Sequence, residues 1–122
     1  MIDHWAHSYS IDRHLVRAIG WQESGYNPSA VSSVGARGVL QVMPGTWTFT
    51  ERMYIGRHVP HSADGGVHVG VAYLRALLRI FHGNERLAVA AYYQGPGAVE
   101  AYGIFPGSRA YVRNVLALRR RM

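Results

Sequence analysis

The stretch PHSADGGVHVGVAYLRALLRIFHG, residues 60–83, carries the strongest structural signal in the chain. Five of its apolar residues recur at the three- and four-residue spacing that places side chains on one face of an α-helix. These are Val67, Val71, Leu74, Leu78 and Phe81. Asp64 stands where a helix cap is expected, and Gly83 stands where a helix commonly ends. The stretch therefore predicts an amphipathic helix with one face buried in a core.

Similar spacing predicts a helix over residues 11–24, with Ser10 as its cap and Gly25 as its terminator. Residues 25–45 are rich in Gly, Ser and Pro, which is typical of a structured loop, with room for a very small β element. No alternating strand pattern of useful length occurs. Further helices are predicted behind caps at Thr46, Asn84 and Ser108, and a short one within residues 95–103. The fold class is therefore mainly α, in one globular domain over residues 1–122.

The composition narrows the classes of protein that the chain can represent. All 13 basic residues are arginine, and the formal net charge of +6 favours a polyanionic partner, either nucleic acid or the acidic bacterial wall. Cysteine is absent, which excludes disulfides and thiolate metal sites. No apolar run of about 18 residues predicts a transmembrane segment, and the first residues lack the pattern of a secretion signal.

Glu23 is the residue with the strongest chemical case. It falls in the last turn of the predicted helix, where the helix dipole disfavours a negative charge, and it has Trp21 and Tyr26 as neighbours in sequence. Both effects favour a raised pKa, which suits a general acid. By position alone, an exposed glutamate in a final helical turn is the simpler interpretation. The surrounding motifs decide between the two.

The run ESGYNPSAVSSVGARGVLQVMPGTW, residues 23–47, resembles the catalytic segment of lytic transglycosylases with the soluble-type (SLT) domain. Members of that family carry a Glu-Ser pair, an Asn-Pro pair and a Gly-Ala-x-Gly-x-x-Gln-x-Met-Pro stretch, here Glu23-Ser24, Asn27-Pro28 and Gly35 to Pro44. The family's third motif has its counterpart in AYYQGPG, residues 91–97. The likeness extends to Gly70–Arg75 and Tyr111–Arg119 and so covers nearly the whole chain.

This resemblance implies a helical fold like that of goose-type lysozyme, with a glycan cleft across one face. It also implies non-hydrolytic cleavage of the β-1,4 bond between N-acetylmuramic acid and N-acetylglucosamine of peptidoglycan, which leaves 1,6-anhydro ends. In such a mechanism Glu23 is the sole catalytic acid and base, and the substrate's N-acetyl group replaces the second carboxylate of an ordinary glycosidase. None of the six other acidic residues lies in a matching motif.

The resemblance further assigns five residues to substrate binding. Ser32 matches a serine that hydrogen-bonds near the N-acetyl group, and Gln41 and Met43 match residues lining the cleft. Tyr92 matches the tyrosine of the third motif, and Tyr111 lies in the last helix at a position that is often tyrosine.

Two departures from the family pattern affect the glycan subsites rather than the reaction. Tyr93-Gln94 replaces the more common Asn-x, as in YYQG versions of the motif familiar from actinobacterial members. Gly107-Ser108-Arg109 replaces a Glu-Thr-Arg whose glutamate helps to bind the sugar in some members.

Several alternatives remain open. The nearest is a hydrolytic muramidase of the lysozyme type, whose products carry one more water than anhydro products. A non-catalytic wall-binding or nucleic-acid-binding module is an alternative of another class, although the arginines are scattered and no nucleic-acid motif is recognised. The pairs His4/His7 and His58/His61 lack the spacing of a zinc-protease helix, so we expect no metal and no cofactor.

The expected partner is the glycan strand of peptidoglycan, without specific nucleic-acid binding, and the expected state is a monomer. Enzymes of this kind act outside the cytoplasmic membrane, in the periplasm, the cell wall or the medium. Because the sequence shows no signal of its own, it is expected to be an excised domain of a secreted protein or a phage-derived one.

Overall fold

A computed structural model describes residues 1–122 and shows a mainly helical fold, as the sequence predicts. Seven α-helices are joined by short connections except for the long loop over residues 25–43, with a π-helical turn at Glu51–Ile55 and a 3-10 turn at Pro106–Ser108. The helices are α1 (Ile2–Ser8), α2 (Arg13–Ser24), α3 (Pro44–Thr50), α4 (Ala63–Ile80), α5 (Glu85–Gln94), α6 (Pro96–Tyr102) and α7 (Arg109–Arg121). None of these helices is long and apolar enough to cross a bilayer.

The predicted central helix is α4, which contacts α1, α3 and α5. Every residue from Gly65 to Ala72 is buried, so these two turns of the helix lie inside the core. The prediction of the cap at Asp64 is wrong. Ser62 caps the helix because its backbone is extended there and its Oγ accepts from Gly65 N at 2.9 Å, while Asp64 Oδ1 accepts from Trp5 Nε1 at 3.0 Å.

The predicted second helix, α2, ends as expected at Gly25, which adopts a left-handed conformation with φ of 62°. Its start differs from the prediction. Asp12, not Ser10, caps the helix, and its Oδ1 accepts from His14 N at 2.9 Å. Ser10 instead has φ of 55° and belongs to the turn between α1 and α2.

Three other caps were predicted, and one of them is confirmed. Asn84 accepts from Leu87 N at 3.1 Å and caps α5. Thr46 lies inside α3, because Pro44 already occupies the first helical position and needs no N–H partner there. Ser108 precedes α7 but makes no side-chain capping bond, since the chain enters that helix directly from the 3-10 turn.

The loop over residues 25–43 contains the small β element, which consists of two isolated antiparallel bridges rather than a strand. Arg37 pairs with Val31 on one side and with Val42 on the other. The Arg37–Val42 pair exchanges two backbone hydrogen bonds, of 3.1 and 3.0 Å. The loop is thus a fixed structure placed between the end of α2 and the start of α3.

Helix α1 was not predicted, because its seven residues have no clear apolar period. It is held by tertiary contacts instead. Ala6 is fully buried, and the Trp5 ring stacks on His68 of α4 with centroids 3.8 Å apart. Tyr9 Oη lies 2.7 Å from His68 Nε2. Packing against α4, rather than helix propensity, therefore stabilises this segment.

Gly70 marks the closest approach between α4 and the loop. A Cβ at this position would lie 2.6 Å from Leu40 Cδ1 and 2.9 Å from Leu40 Cβ, which is closer than packed carbon atoms approach. Gly66, one turn earlier on the same helix, offers a contrast, since a Cβ there would make ordinary contacts with Trp47 at 3.7 Å or more.

We predict that Gly70→Ala destabilises the protein by about 1–3 kcal/mol through overpacking. Gly66→Ala should leave the stability unchanged or raise it by up to about 1 kcal/mol, because alanine is the better helix former. Urea unfolding of both variants beside the wild type measures the difference. Equal stability of the two variants would contradict the close approach at Leu40.

Candidate active site

The carboxylate of Glu23 lies where the last turn of α2 faces α7. Helix α2 packs along α7, and this contact brings together residues that are 88 positions apart in the sequence. Tyr111 Oη of α7 donates a hydrogen bond of 2.9 Å to Glu23 Oε2. Tyr111 itself is buried, whereas Glu23 is half-buried and keeps some access to solvent.

Burial raises the pKa of Glu23 above its ordinary value of 4.5, because removal from water disfavours the charged form. The Tyr111 hydrogen bond acts in the opposite direction and lowers this pKa, since it stabilises the carboxylate. Desolvation is the larger of the two effects. The site therefore favours a carboxyl group that takes up a proton more readily than a free glutamate.

Tyr92 and Tyr111 both lie close enough to Glu23 for its charge to raise the pKa of their hydroxyls, although burial is the larger cause. Both hydroxyls therefore remain protonated at neutral pH and act as hydrogen-bond donors. Tyr92 Oη donates to the Leu40 carbonyl at 2.7 Å and so ties α5 to the loop. Tyr92 thus supports the site indirectly, by holding the loop in place.

Tyr93, one of the departures from the family pattern, stacks on Tyr111. Their ring centroids are 4.5 Å apart and their planes are 20° from parallel. Tyr93 is 56% exposed, so it covers the outer face of the buried ring that contacts Glu23. Its neighbour Gln94 bridges α5 to the segment after α6, donating to the Gly103 carbonyl at 2.8 Å and accepting from Phe105 N at 2.9 Å.

Ser24 fixes the end of α2 against the loop. Its Oγ donates to the Val39 carbonyl at 2.8 Å and accepts from Asn27 N at 3.1 Å. The Asn27 side chain in turn accepts from Ser29 N at 2.9 Å, which tightens the turn that follows the helix. Ser24 and Asn27 thus hold the helix end that carries Glu23.

Ser32 and Gln41 both brace the loop from within. Ser32 Oγ accepts from Ala36 N at 3.0 Å and from Val34 N at 3.3 Å, which leaves its O–H free to donate. The Gln41 amide nitrogen donates to the carbonyls of Ala30 and Gly38, at 3.1 and 2.9 Å, and its Oε1 has no partner within the chain.

Gln41 also carries backbone strain, because its φ of 49° is rarely adopted by residues other than glycine. The two side-chain bonds of Gln41 hold this conformation in place. Met43 follows at the start of α3 and is 39% exposed, so it can contact a ligand at the edge of the loop.

The side chain of Glu23 is partly accessible to solvent. A concavity of about 580 Å³ lies elsewhere, between the two chain ends, where Arg17, Tyr26 and Met122 are among its lining residues. Glu23 does not line it.

Comparison with known proteins places the chain in a family. The model of the transglycosylase SLT domain matches residues 1–110. The chain belongs to the transglycosylase SLT domain family. The mainly helical, lysozyme-like fold that the sequence predicts is confirmed by solved structures of that family, which superpose on almost the whole chain.

Two curated relatives illustrate the likeness in sequence. The soluble lytic murein transglycosylase of Salmonella typhimurium is 35% identical over 128 residues, covering 88% of this SLT domain and 20% of the relative. The membrane-bound lytic murein transglycosylase C of Edwardsiella ictaluri is 29% identical, covering 95% of this chain and 35% of that protein. The chain thus spans about a fifth of the length of its soluble relative.

Solved structures give the same result in three dimensions. The lytic transglycosylase Slt of Pseudomonas aeruginosa, solved as an inactive glutamate-to-glutamine mutant, superposes with a TM-score of 0.88 at 31% identity. The superposition covers 97% of this SLT domain and 22% of that chain. A complex of the 70-kDa soluble lytic transglycosylase with bulgecin A superposes with a TM-score of 0.86 at 31% identity, over the same 97% and 22%.

Two positioning roles in this SLT domain were not predicted from the sequence. Ser24 was recognised as half of a motif, but its bond to Val39 depends on how the loop folds back. The stacking of Tyr93 on Tyr111 joins α5 to α7, and no residue spacing in the sequence predicts this contact. Adjacent aromatic residues in YYQG were the only available signal.

The raised pKa of Glu23 has a consequence for stability. Above the folded-state pKa, the ionised side chain is buried at a cost that glutamine would not incur. Glutamine has nearly the same shape and can still accept the Tyr111 hydrogen bond. Because the folded protein holds the proton more tightly than the unfolded chain, the wild type loses this part of its stability as the pH rises through that pKa.

We predict that Glu23→Gln is more stable than the wild type at about pH 7.5 and equally stable at about pH 3.5, below the ordinary glutamate pKa. Urea unfolding at the two pH values measures the change. Glu100→Gln is the matched control, because Glu100 is exposed on α6 and makes no hydrogen bond. A Glu23→Gln variant that is less stable at the higher pH would contradict the desolvation of this carboxylate.

Proposed function

We propose that this SLT domain is a peptidoglycan lytic transglycosylase that cleaves the β-1,4 bond between N-acetylmuramic acid and N-acetylglucosamine. The observation that carries the proposal is the half-buried Glu23 with its raised pKa, at the helix end that the family motifs surround. The named relatives are murein transglycosylases, and the Pseudomonas aeruginosa structure shows that changing one glutamate can inactivate such an enzyme.

Glu23 first acts as the general acid. In its protonated form it donates to the glycosidic oxygen, and the C–O bond to the muramic anomeric carbon breaks. The substrate's N-acetyl oxygen stabilises the positive charge at that carbon. Ionised Glu23 then takes the proton from the muramic C6 hydroxyl, whose oxygen attacks the anomeric carbon and closes a 1,6-anhydro ring. The proton returns to Glu23, and no water is consumed.

The positions of the other acidic residues support a mechanism with one carboxylate. An ordinary glycosidase places its two carboxyl groups about 5–9.5 Å apart across the bond to be cleaved. In this chain five of the six remaining acids are engaged elsewhere. Asp3 pairs with Arg17, Asp12 with His14 N and Arg119, Glu51 with His58 and Val59 N, Asp64 with Trp5, and Glu85 with Arg119. The sixth, Glu100, is exposed on α6.

Tyr111 balances the two roles of Glu23. Its hydroxyl donates to the carboxylate, so it stabilises the ionised form that acts as the base. Desolvation favours the protonated form that acts as the acid. General acid and base catalysis contributes about 10²- to 10⁴-fold, and positioning of the substrate supplies much of the remainder.

Substrate binding is assigned to the loop and to the tyrosines around Glu23. The free O–H of Ser32 can donate to the N-acetyl carbonyl, and the unpartnered Oε1 of Gln41 can accept from a sugar hydroxyl. Met43 provides an apolar edge, and Tyr92 and Tyr111 border the reacting sugar. Because the substrate is a wall polymer, the domain acts outside the cytoplasmic membrane. We further propose that residues 1–122 form one catalytic domain that acts as a monomer.

Digestion of purified peptidoglycan followed by mass spectrometry of the soluble products tests the proposal. We predict muropeptides with anhydro ends, which are one water lighter than hydrolysed products. Glu23→Gln should lower turnover by at least about 10²-fold while still binding to sedimented peptidoglycan. Glu100→Gln serves as the control and should retain full turnover.

Products that carry the additional water would instead establish the hydrolytic muramidase, the alternative on the same fold. Substantial turnover by Glu23→Gln would exclude Glu23 as the catalytic residue. Binding without any released product from the wild-type domain would favour a wall-binding module.

A further inference from the structure

Helix α7 presents two opposite faces. With 3.6 residues per turn, successive residues are about 100° apart around the helix axis, so Arg109, Arg113 and Arg120 fall within about 40° of one another. Tyr111 lies about 180° from the centre of this row. The face with Tyr111 contacts Glu23, and the arginine row therefore points away from the candidate active site.

The three arginines border a groove together with Arg86 of α5. The groove has a volume of about 370 Å³, and Val112 and Leu116 are among its apolar lining residues. All four arginine side chains are exposed. Along the helix the row extends about 16 Å, at 1.5 Å per residue. The arrangement is an elongated concave surface with positive charge along its rim.

None of these four arginines has a carboxylate partner. The ion pairs that involve arginine use Arg17 and Arg119, and Arg119 lies on the same helix but pairs with Asp12 and Glu85. Like charges gathered on one surface without counter-charges repel one another, and a bound anion relieves that repulsion. The groove is thus complementary to a chain of negative charges.

We propose that this groove, formed by Arg86, Arg109, Arg113 and Arg120, binds a polyol phosphate chain, a flexible phosphodiester polymer of the bacterial cell wall. Guanidinium groups pair with phosphate oxygens through two parallel hydrogen bonds, and the carbon backbone of such a polymer suits the apolar floor at Leu116. The assignment of this polymer to the cell wall rests on the proposed function, because that function places the domain at the wall. Binding would hold the domain there while leaving the face with Glu23 free.

The lining of the groove favours this polymer over a nucleic acid. Proteins that bind single-stranded nucleic acid add aromatic side chains on which bases stack. No aromatic residue lines this groove. The exposed aromatic residue nearest in the sequence to the row, Phe105, lies before α7 and stacks with Tyr102 instead.

Equilibrium binding of fluorescently labelled poly(glycerol phosphate) to the whole domain tests the proposal, with Arg113→Gln/Arg120→Gln as the groove variant. We predict that the variant binds roughly tenfold more weakly and that the dependence of log affinity on log salt becomes less steep by about 1 to 2. Arg52→Gln/Arg79→Gln is the matched control, because it removes the same charge from exposed positions outside the groove. It should bind nearly as the wild type does.

Equal weakening by both double variants would overturn the proposal, since net charge alone would then explain binding. Stronger binding of an oligothymidylate of equal charge would also overturn it and would indicate a nucleic-acid surface. Turnover of soluble glycan fragments that lack the polymer is measured in parallel and should be the same for all three proteins. Loss of polymer binding in the groove variant with no turnover in any protein would refute the proposed function but leave the polymer site standing.

Discussion

The hydrogen bond between Tyr111 and Glu23 is the interaction on which the candidate site depends. It exists only because α2 packs along α7, so the helical core sets the position of the carboxylate directly. The same packing removes the carboxylate from water and raises its pKa. Core and chemistry are therefore coupled, since any change that separates the two helices returns Glu23 to solvent and to an ordinary pKa.

A second constraint connects the core to the loop. Gly70 allows α4 to approach Leu40, and the Leu40 carbonyl then accepts the Tyr92 hydrogen bond. From the other side Ser24 holds Val39 against the end of α2. The two anchors fall on adjacent residues of the loop, so the segment that carries Ser32 and Gln41 is fixed relative to Glu23. This rigidity is what a site needs to position a polymeric substrate.

Periodicity predicted α2 because its burial is one-sided. In α4 the apolar spacing predicted the helix but not the extent of its burial, since residues 65–72 are buried on every face. The caps were predicted less well, since Ser10 and Asp12, or Ser62 and Asp64, are equally plausible in sequence and only backbone conformation selects between them. Helix α1 escaped prediction because tertiary contacts, not periodicity, stabilise it.

The chemistry of the site, like the fold, could be predicted from the sequence only in part. Local position predicted that the Glu23 pKa would be raised, and the structure attributes the increase to burial. The family resemblance assigned Tyr111 to substrate binding but did not predict its hydrogen bond to Glu23, because a contact between residues 88 positions apart leaves no local pattern. The stacking of Tyr93 and the bond from Ser24 to Val39 required the folded chain.

The most direct test of a desolvated, singly acting carboxylate is an NMR titration of the Glu23 side-chain carboxyl carbon. We predict a midpoint above 4.5, the ordinary value for glutamate, in the wild-type domain. In Tyr111→Phe the midpoint should rise further, because the hydrogen bond that favours the ionised form is lost. A wild-type midpoint at or below the ordinary value, or a fall in Tyr111→Phe, would contradict this account of the site.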